Sequence, residues 1–174
     1  LGLWTGIQAA RAGRREEAHA AYEAARQAFA AAGDAAGELK ALLRLINLGL
    51  YEGDRGSVGP AFVRALALAP LGRPEDQADL LLARTQAADQ AGDIQLAAEC
   101  AEGVLAIPID GEVEVASGHV VALMNLYTLA LHRGDLGGAH AWAAATVAVS
   151  EAWGFEPYRV FATFLLAHLH LVEG

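Results

Sequence analysis

The chain has 174 residues, 55% of them hydrophobic and 19% charged, with a formal net charge of −9. Such an apolar composition excludes a disordered chain, which lacks the apolar surface to offset the entropy of ordering. The acidic balance speaks against nucleic acid as a partner, because phosphates reward clustered Lys and Arg. The charge is also uneven: residues 1–73 hold nine basic and seven acidic side chains, residues 74–174 hold three and fourteen. Eleven of the basic residues are Arg and one is Lys40. One cysteine, Cys100, rules out an internal disulfide and fits a reducing, cytoplasmic setting. No uninterrupted apolar run approaches the ~18 residues of a membrane span, so no membrane is expected. Val160 to Val172 is broken by His168 and His170. The chain begins at Leu1 without Met or signal peptide, so a fragment of a larger protein is expected.

Read in chain order, helical segments are expected at 2–12, 14–32, 35–52, 56–69, 75–91, 93–106, 114–133, 135–153 and 157–173. A Gly followed by a polar residue punctuates them at Gly13-Arg14, Gly53-Asp54, Gly92-Asp93 and Gly134-Asp135, with spacings of 40, 39 and 42. Gly174 lies 40 beyond Gly134. Gly can take the left-handed conformation that ends a helix. Asp54, Asp93 and Asp135 can then cap the next helix. Each pair thus reads as a tight turn between two antiparallel helices, one hairpin per repeat. Helices two and eight are expected to end at Gly33 and Gly154. Pro70 should stop the fourth helix, and Pro74 suits the first turn of the fifth. The segment from Ile107 to Ser117, Pro108 included, reads as a longer loop.

Behind each glycine a set of small and apolar residues recurs on one helical face. The sets are Ala18, Tyr22 and Ala25; Val58, Phe62, Ala65 and Leu66; Ala97, Ala101, Val104 and Leu105; Ala139, Ala143, Thr146 and Val147. This pattern resembles the tetratricopeptide repeat, in its Gly turn, small residue, aromatic, Ala-Leu pair and closing Pro. Leu123-Met124-Asn125-Leu126-Tyr127 resembles the start of the first helix of that repeat. Arg26 departs from the motif, which has Leu there, and the period near 40 exceeds the usual 34. Long-period repeats of this kind resemble the sensor regions of MalT-type bacterial transcription regulators and eukaryotic polarity and trafficking adaptors. HEAT repeats are the rival reading, without a recurring Pro in the first helices to support them. The resemblance implies an all-α fold, an α-solenoid of about four hairpins plus a terminal helix, forming a single domain over 1–174.

Motifs of catalysis are not found: there is no dinucleotide or phosphate loop, no His-Glu-x-x-His and no Cys-x-x-Cys. Ser57, Ser117 and Ser150 lack a nucleophile-elbow context. No catalytic residue, cofactor or metal site is therefore assigned, and the chain is not expected to be an enzyme. Glu16 and Glu17 read as a solvated helix start and Cys100 as a small buried side chain. His19 and His140 read as surface residues, while His132 and His168 lie on successive first helices that could bring them together.

The resemblance implies that first helices line a concave groove where a protein or peptide docks. Register from the glycines puts that face at Trp4, Ile7 and Arg11; Lys40, Leu43, Arg44, Asn47 and Tyr51; Asp79, Leu82, Gln86 and Asp89. It continues at Met124, Asn125, Thr128 and His132, then Phe164, His168 and Leu171. Lys40, Arg44 and Asn47, spaced by four and three, share one face and resemble part of a carboxylate clamp for acidic peptide tails. The expected role is an interaction scaffold, the regulatory part of a bacterial signalling or transcription protein. The alternative is a small-molecule sensor whose groove closes on a ligand. The last helix, with Val160, Phe161, Phe164, Leu165, Leu166, Leu169, Leu171 and Val172, is apolar around most of its circumference. The expectation is therefore that the intact protein continues past Gly174 or that homo-oligomers form through Phe161, Phe164, Leu165 and Leu169.

Overall fold

A computed structural model describes residues 2–53 and 55–173, and their side chains except those at 52, 55–57, 172 and 173. Among the described residues the chain is all-α: nine helices, one short 3₁₀ turn and no strand. The helices are α1 (Gly2–Arg11), α2 (Arg15–Ala31), α3 (Ala35–Glu52), α4 (Arg55–Leu68), α5 (Pro74–Ala91), α6 (Ile94–Leu105), α7 (Val113–His132), α8 (Leu136–Trp153) and α9 (Glu156–Glu173).

The glycine punctuation acts as its chemistry dictates. Gly13, Gly33, Gly53, Gly92, Gly134 and Gly154 all have φ near +70°, which a Cβ would penalise. Backbone bonds close the helix end around them. At Gly134, for example, the Asp135 N–H donates to the Ala130 carbonyl at 2.9 Å and the Gly134 N–H to that of Leu131 at 3.0 Å. This double bond pattern satisfies carbonyls that the helix end would otherwise leave open. After Gly33, Gly92 and Gly134 the next helix is then capped by the following aspartate. Asp93 Oδ1 accepts from the Leu96 N–H at 3.0 Å and Asp135 Oδ1 from that of Gly138 at 2.8 Å. Asp34 caps α3 in the same way, accepting from the Gly37 N–H at 2.9 Å. The capping expected of Asp54 lies outside the described residues, as does Gly174.

Two proline expectations are met. α4 gives way at Leu68 to the 3₁₀ turn Ala69–Leu71 that contains Pro70, and Pro74 opens α5. Asp76 there reaches back to the Arg73 N–H at 3.2 Å, satisfying another free donor. The loop after α6 is shorter than expected. It ends at Glu112, and Val113 to Ser117 are helical. His119 explains part of this: its Nε2–H donates to the Ile107 carbonyl at 2.9 Å, tying the loop back to the buried side of α7.

The described chain forms two compact units, Leu1–Ala83 and Arg84–Gly174, dividing within α5 where the sequence offers no linker. In the first, α1, α2, α3 and α4 each pack on their chain neighbour. Ala9, Ala18 and Tyr22 are buried together, with Leu3, Ile7, Leu45 and Leu48 against them. A Cβ at Gly6 would stand 2.4 Å from the Tyr22 ring, so α1 sits on α2 as closely as glycine permits. In the second unit α6, α7, α8 and α9 pack in sequence. Tyr127, Ala130, Ala139, Ala143 and Leu169 form the core there. The recurring small-residue sets are mostly buried; Phe62, Leu105 and Val147 are half-buried, and Leu66, at the rim of α4, is exposed.

α7 meets the length and composition of a membrane-crossing helix, which a search for uninterrupted apolar runs passes over. Eleven of its twenty residues are buried inside the second unit, so its apolarity is spent on packing.

Two substitutions test these local devices by urea denaturation. Gly6→Ala should destabilise by about 1–3 kcal/mol, because the methyl forces the Tyr22 ring aside. Asp135→Ala should cost about 0.5–2 kcal/mol by leaving the first turn of α8 uncapped. Wild-type midpoints in either variant would refute the contact concerned.

Candidate functional site

Two features of the first unit carry chemistry, and they lie on opposite sides of α3. α3 is covered almost all round: Leu39, Ala41, Leu42, Leu43, Ile46 and Leu50 are buried. On one face of α3 the polar side chains that reach solvent are Lys40 and Asn47, half-buried, and Arg44 and Tyr51, exposed, with Tyr51 80% exposed. These are the residues placed together by their helical spacing. Leu43, expected beside them, belongs to the core, and Ile7 packs inward against Ala9 and Tyr22. Trp4 and Arg11 of α1 are exposed. Asp79 of α5 is close enough to Arg44 to feel its charge. Desolvation by surrounding protein pushes the Asp79 carboxyl up, and the Arg44 guanidinium opposes that rise.

The second feature is a half-enclosed cleft of about 340 Å³ between α2, α3 and α4. α2 contributes His19, Glu23 and Arg26, and α4 contributes Pro60, Ala61 and Arg64 over a floor of Leu42 and Leu45. Beside the cleft lies Glu38, only 3% exposed. Arg64 grips it with two bonds, Nε to Oε1 at 2.8 Å and Nη2 to Oε2 at 2.7 Å. Arg26 approaches the same carboxylate at 3.8 Å while donating through Nε and Nη2 to Glu23 at 2.8 and 2.6 Å. Glu38 is thus covered by guanidiniums, a pairing that a buried carboxylate needs. Hydrogen bonds from Arg64 hold its carboxyl below the usual range against the effect of burial. Those from Arg26 hold Glu23 at about 2, well below its ordinary 4.5.

This cleft escaped the sequence reading. Its one sequence signal is Arg26, a charge where the repeat pattern has Leu. Its partners Glu38 and Arg64 stand 26 residues apart, with no local spacing to connect them.

The second unit presents its own faces. Asn125 is half-buried, and Thr128 and His132 are exposed on the same side of α7. Thr128 donates its hydroxyl proton back to the Met124 carbonyl at 3.1 Å. Gln86 of α5 is half-buried and His168 of α9 is exposed. The histidine rings that meet are those of His140 and His170, edge to face with centroids 5.3 Å apart, rather than the anticipated pair His132 and His168. Among the described residues no three His, Cys, Asp or Glu side chains are grouped to hold a metal ion. Cys100 is buried beside Ala101, and desolvation pushes its thiol up.

α9 corrects part of the self-association expectation. Leu169 is 1% exposed and belongs to the core, while Leu165 is half-buried against the Tyr127 and Ala143 core. α8 covers that side of α9. Phe161 and Phe164 do face outward, with Val160 and Leu171.

The depressed carboxyls of Glu23 and Glu38 set a pH dependence. Both ionise more readily folded than unfolded, so their stabilisation is complete above the ordinary value of 4.5 and is lost as pH falls below it, for Glu23 down to about 2. Denaturation midpoints measured from pH 6 downward should fall more steeply for the parent than for the Glu23→Gln, Glu38→Gln double variant. Parallel slopes would contradict the assignment.

No protein-family model matches the chain, and no curated protein matches it in sequence, so the functional reading rests on this geometry.

Proposed function

We propose that this protein is a cytoplasmic interaction module, an α-solenoid of tetratricopeptide-type helix hairpins that binds a protein or peptide partner along its first helices. Left-handed glycines at Gly13, Gly33, Gly53, Gly134 and Gly154 join consecutive helices that pack on one another, which supports the hairpin reading. The observation that carries the functional reading is the solvent-reachable strip of α3. Lys40, Arg44, Asn47 and Tyr51 are aligned on a helix that neighbouring helices flank, so their backbone is held while Arg44 and Tyr51 stand exposed and Lys40 and Asn47 half-exposed to a partner. Exposed aromatic and Arg side chains are the types that anchor protein interfaces. Lys40 and Arg44 lie in the net-positive stretch 1–73, which favours an acidic segment as the partner.

A second contact surface is supported by α9. Phe164, 65% exposed, and Leu171, 82% exposed, stand with Val160 and Phe161 on the side away from the Leu169 core. Adjacent exposed apolar side chains of this size mark association surfaces. The occupant in this reading is a second copy of the chain. The resemblance to regulator sensor regions makes a bacterial signalling protein the natural setting for both surfaces.

The α3 strip is tested by selecting binders from a random peptide display library and titrating them against Lys40→Ala, Arg44→Ala and Tyr51→Ala. Recovered peptides should be acidic and should lose at least about tenfold in affinity for each charged bond removed. Selected peptides that bind all three folded variants unchanged would dismiss this face. For α9, sedimentation velocity at micromolar concentration should show an associating parent and a monomeric Phe164→Asp variant. A parent that sediments as a monomer throughout removes the second surface.

A further inference from the structure

The α2–α3–α4 cleft is unused by either proposed contact surface. Leu42 and Leu45, its floor, lie on the far side of α3 from the Lys40, Arg44, Asn47 and Tyr51 strip. We propose that this cleft binds a small organic monocarboxylate, its carboxylate on the free N–H groups of Arg64 and Arg26 and its apolar body on Leu42, Leu45 and Pro60.

Three observations converge on that chemistry. The first is donor count. A guanidinium carries five N–H donors. Arg64 spends Nε and one Nη2 proton on Glu38, which leaves its Nη1 end open for a second, end-on carboxylate. Arg26 likewise spends Nε and Nη2 on Glu23, and its Nη1 stands 3.8 Å from Glu38, beyond hydrogen-bond distance. Both guanidiniums are therefore anchored by one edge and make no hydrogen bond to a described residue through Nη1, so little ordering remains to be done when a ligand arrives.

The second observation is charge. The lining carries Arg26, Arg64 and Glu23, with His19 at the α2 side, and Glu38 beside it offsets the second arginine. A site whose arginines are balanced by Glu23 and the neighbouring Glu38, yet which keeps open donors, accepts a single negative charge and resists a dianion or polyphosphate. The third is shape and polarity. The cleft volume of about 340 Å³ falls in the small-molecule range of roughly 300–1,000 Å³. Its floor is aliphatic while its guanidiniums sit together on the polar side. A ligand with one carboxylate and a compact hydrocarbon body matches both halves.

The experiment uses 4-phenylbutanoate, 4-phenylbutanamide and phenyl phosphate as probes, titrated into the full chain and followed by amide chemical shifts in two-dimensional NMR. The carboxylate should bind saturably, with shifts concentrated at His19, Leu45, Ala61 and Arg64. The amide and the phosphate should each bind at least about tenfold more weakly. Arg64→Lys keeps the charge but loses the planar fork and should weaken the carboxylate by a similar factor. Ala61→Trp keeps every charge and fills the space, and should abolish binding. Far-UV circular dichroism and a cooperative melt establish that each variant folds, and should one fail, the amide comparison on the parent decides. Non-saturable shifts, equal binding of the amide, preference for the phosphate, or full affinity in a folded Ala61→Trp chain would each overturn the proposal.

Discussion

Helices with few bulky side chains can exclude water from one another only by coming close together, and that closeness is the constraint on which this molecule depends. Alanine makes it possible. Ala18, Ala65, Ala97, Ala101, Ala139 and Ala143 are all fully or almost fully buried, one after another along α2, α4, α6 and α8. Each contributes little transfer energy, because burial scales with apolar area. What it contributes is access: the neighbouring helix approaches near enough for the larger Leu39, Ile46, Val104 and Leu169 to interlock. Gly6 against Tyr22 is the extreme case, where even one methyl would collide.

Close packing of this kind depends on the helices entering and leaving at the right angle, and the turns supply that. A left-handed glycine ends one helix with its carbonyls satisfied, and an aspartate immediately opens the next with its donors satisfied. Two backbone problems are solved within two residues. The connection is so short that consecutive helices must lie against each other, and the alanine faces then determine how closely. Turn chemistry and core composition thus agree, as they do in a sequence whose local and global preferences point the same way.

Polar groups occupy the places this scheme leaves to them. On α3 the strip of Lys40, Arg44, Asn47 and Tyr51 is the polar face that the neighbouring helices leave to solvent. On the other side, Glu38 is taken out of water and could not be left unpaired, so Arg64 and Arg26 close over it. A hydrophobic residue at Arg26 would fill that space as core. The charged side chain instead joins a polar cleft with an aliphatic floor.

Much of this was legible in the sequence because it depends on neighbours in the chain. Glycine spacing marked the turns, aspartate after glycine marked the caps at Asp93 and Asp135, and helical periodicity picked out the buried alanines and the α3 strip. Each of these is set within a turn or two of helix, by backbone conformation and the 3.6-residue repeat. Tertiary structure decided the rest. That Leu169 is core while Phe164 is bare depends on which side of α9 meets α8. The meeting of His140 with His170 depends on the same packing. The union of Arg26, Glu38 and Arg64 into one cleft required three helices to come together. An apolar pattern reports that a face will be buried, but only packing determines what buries it, because the partner surface is formed by residues far away in the chain.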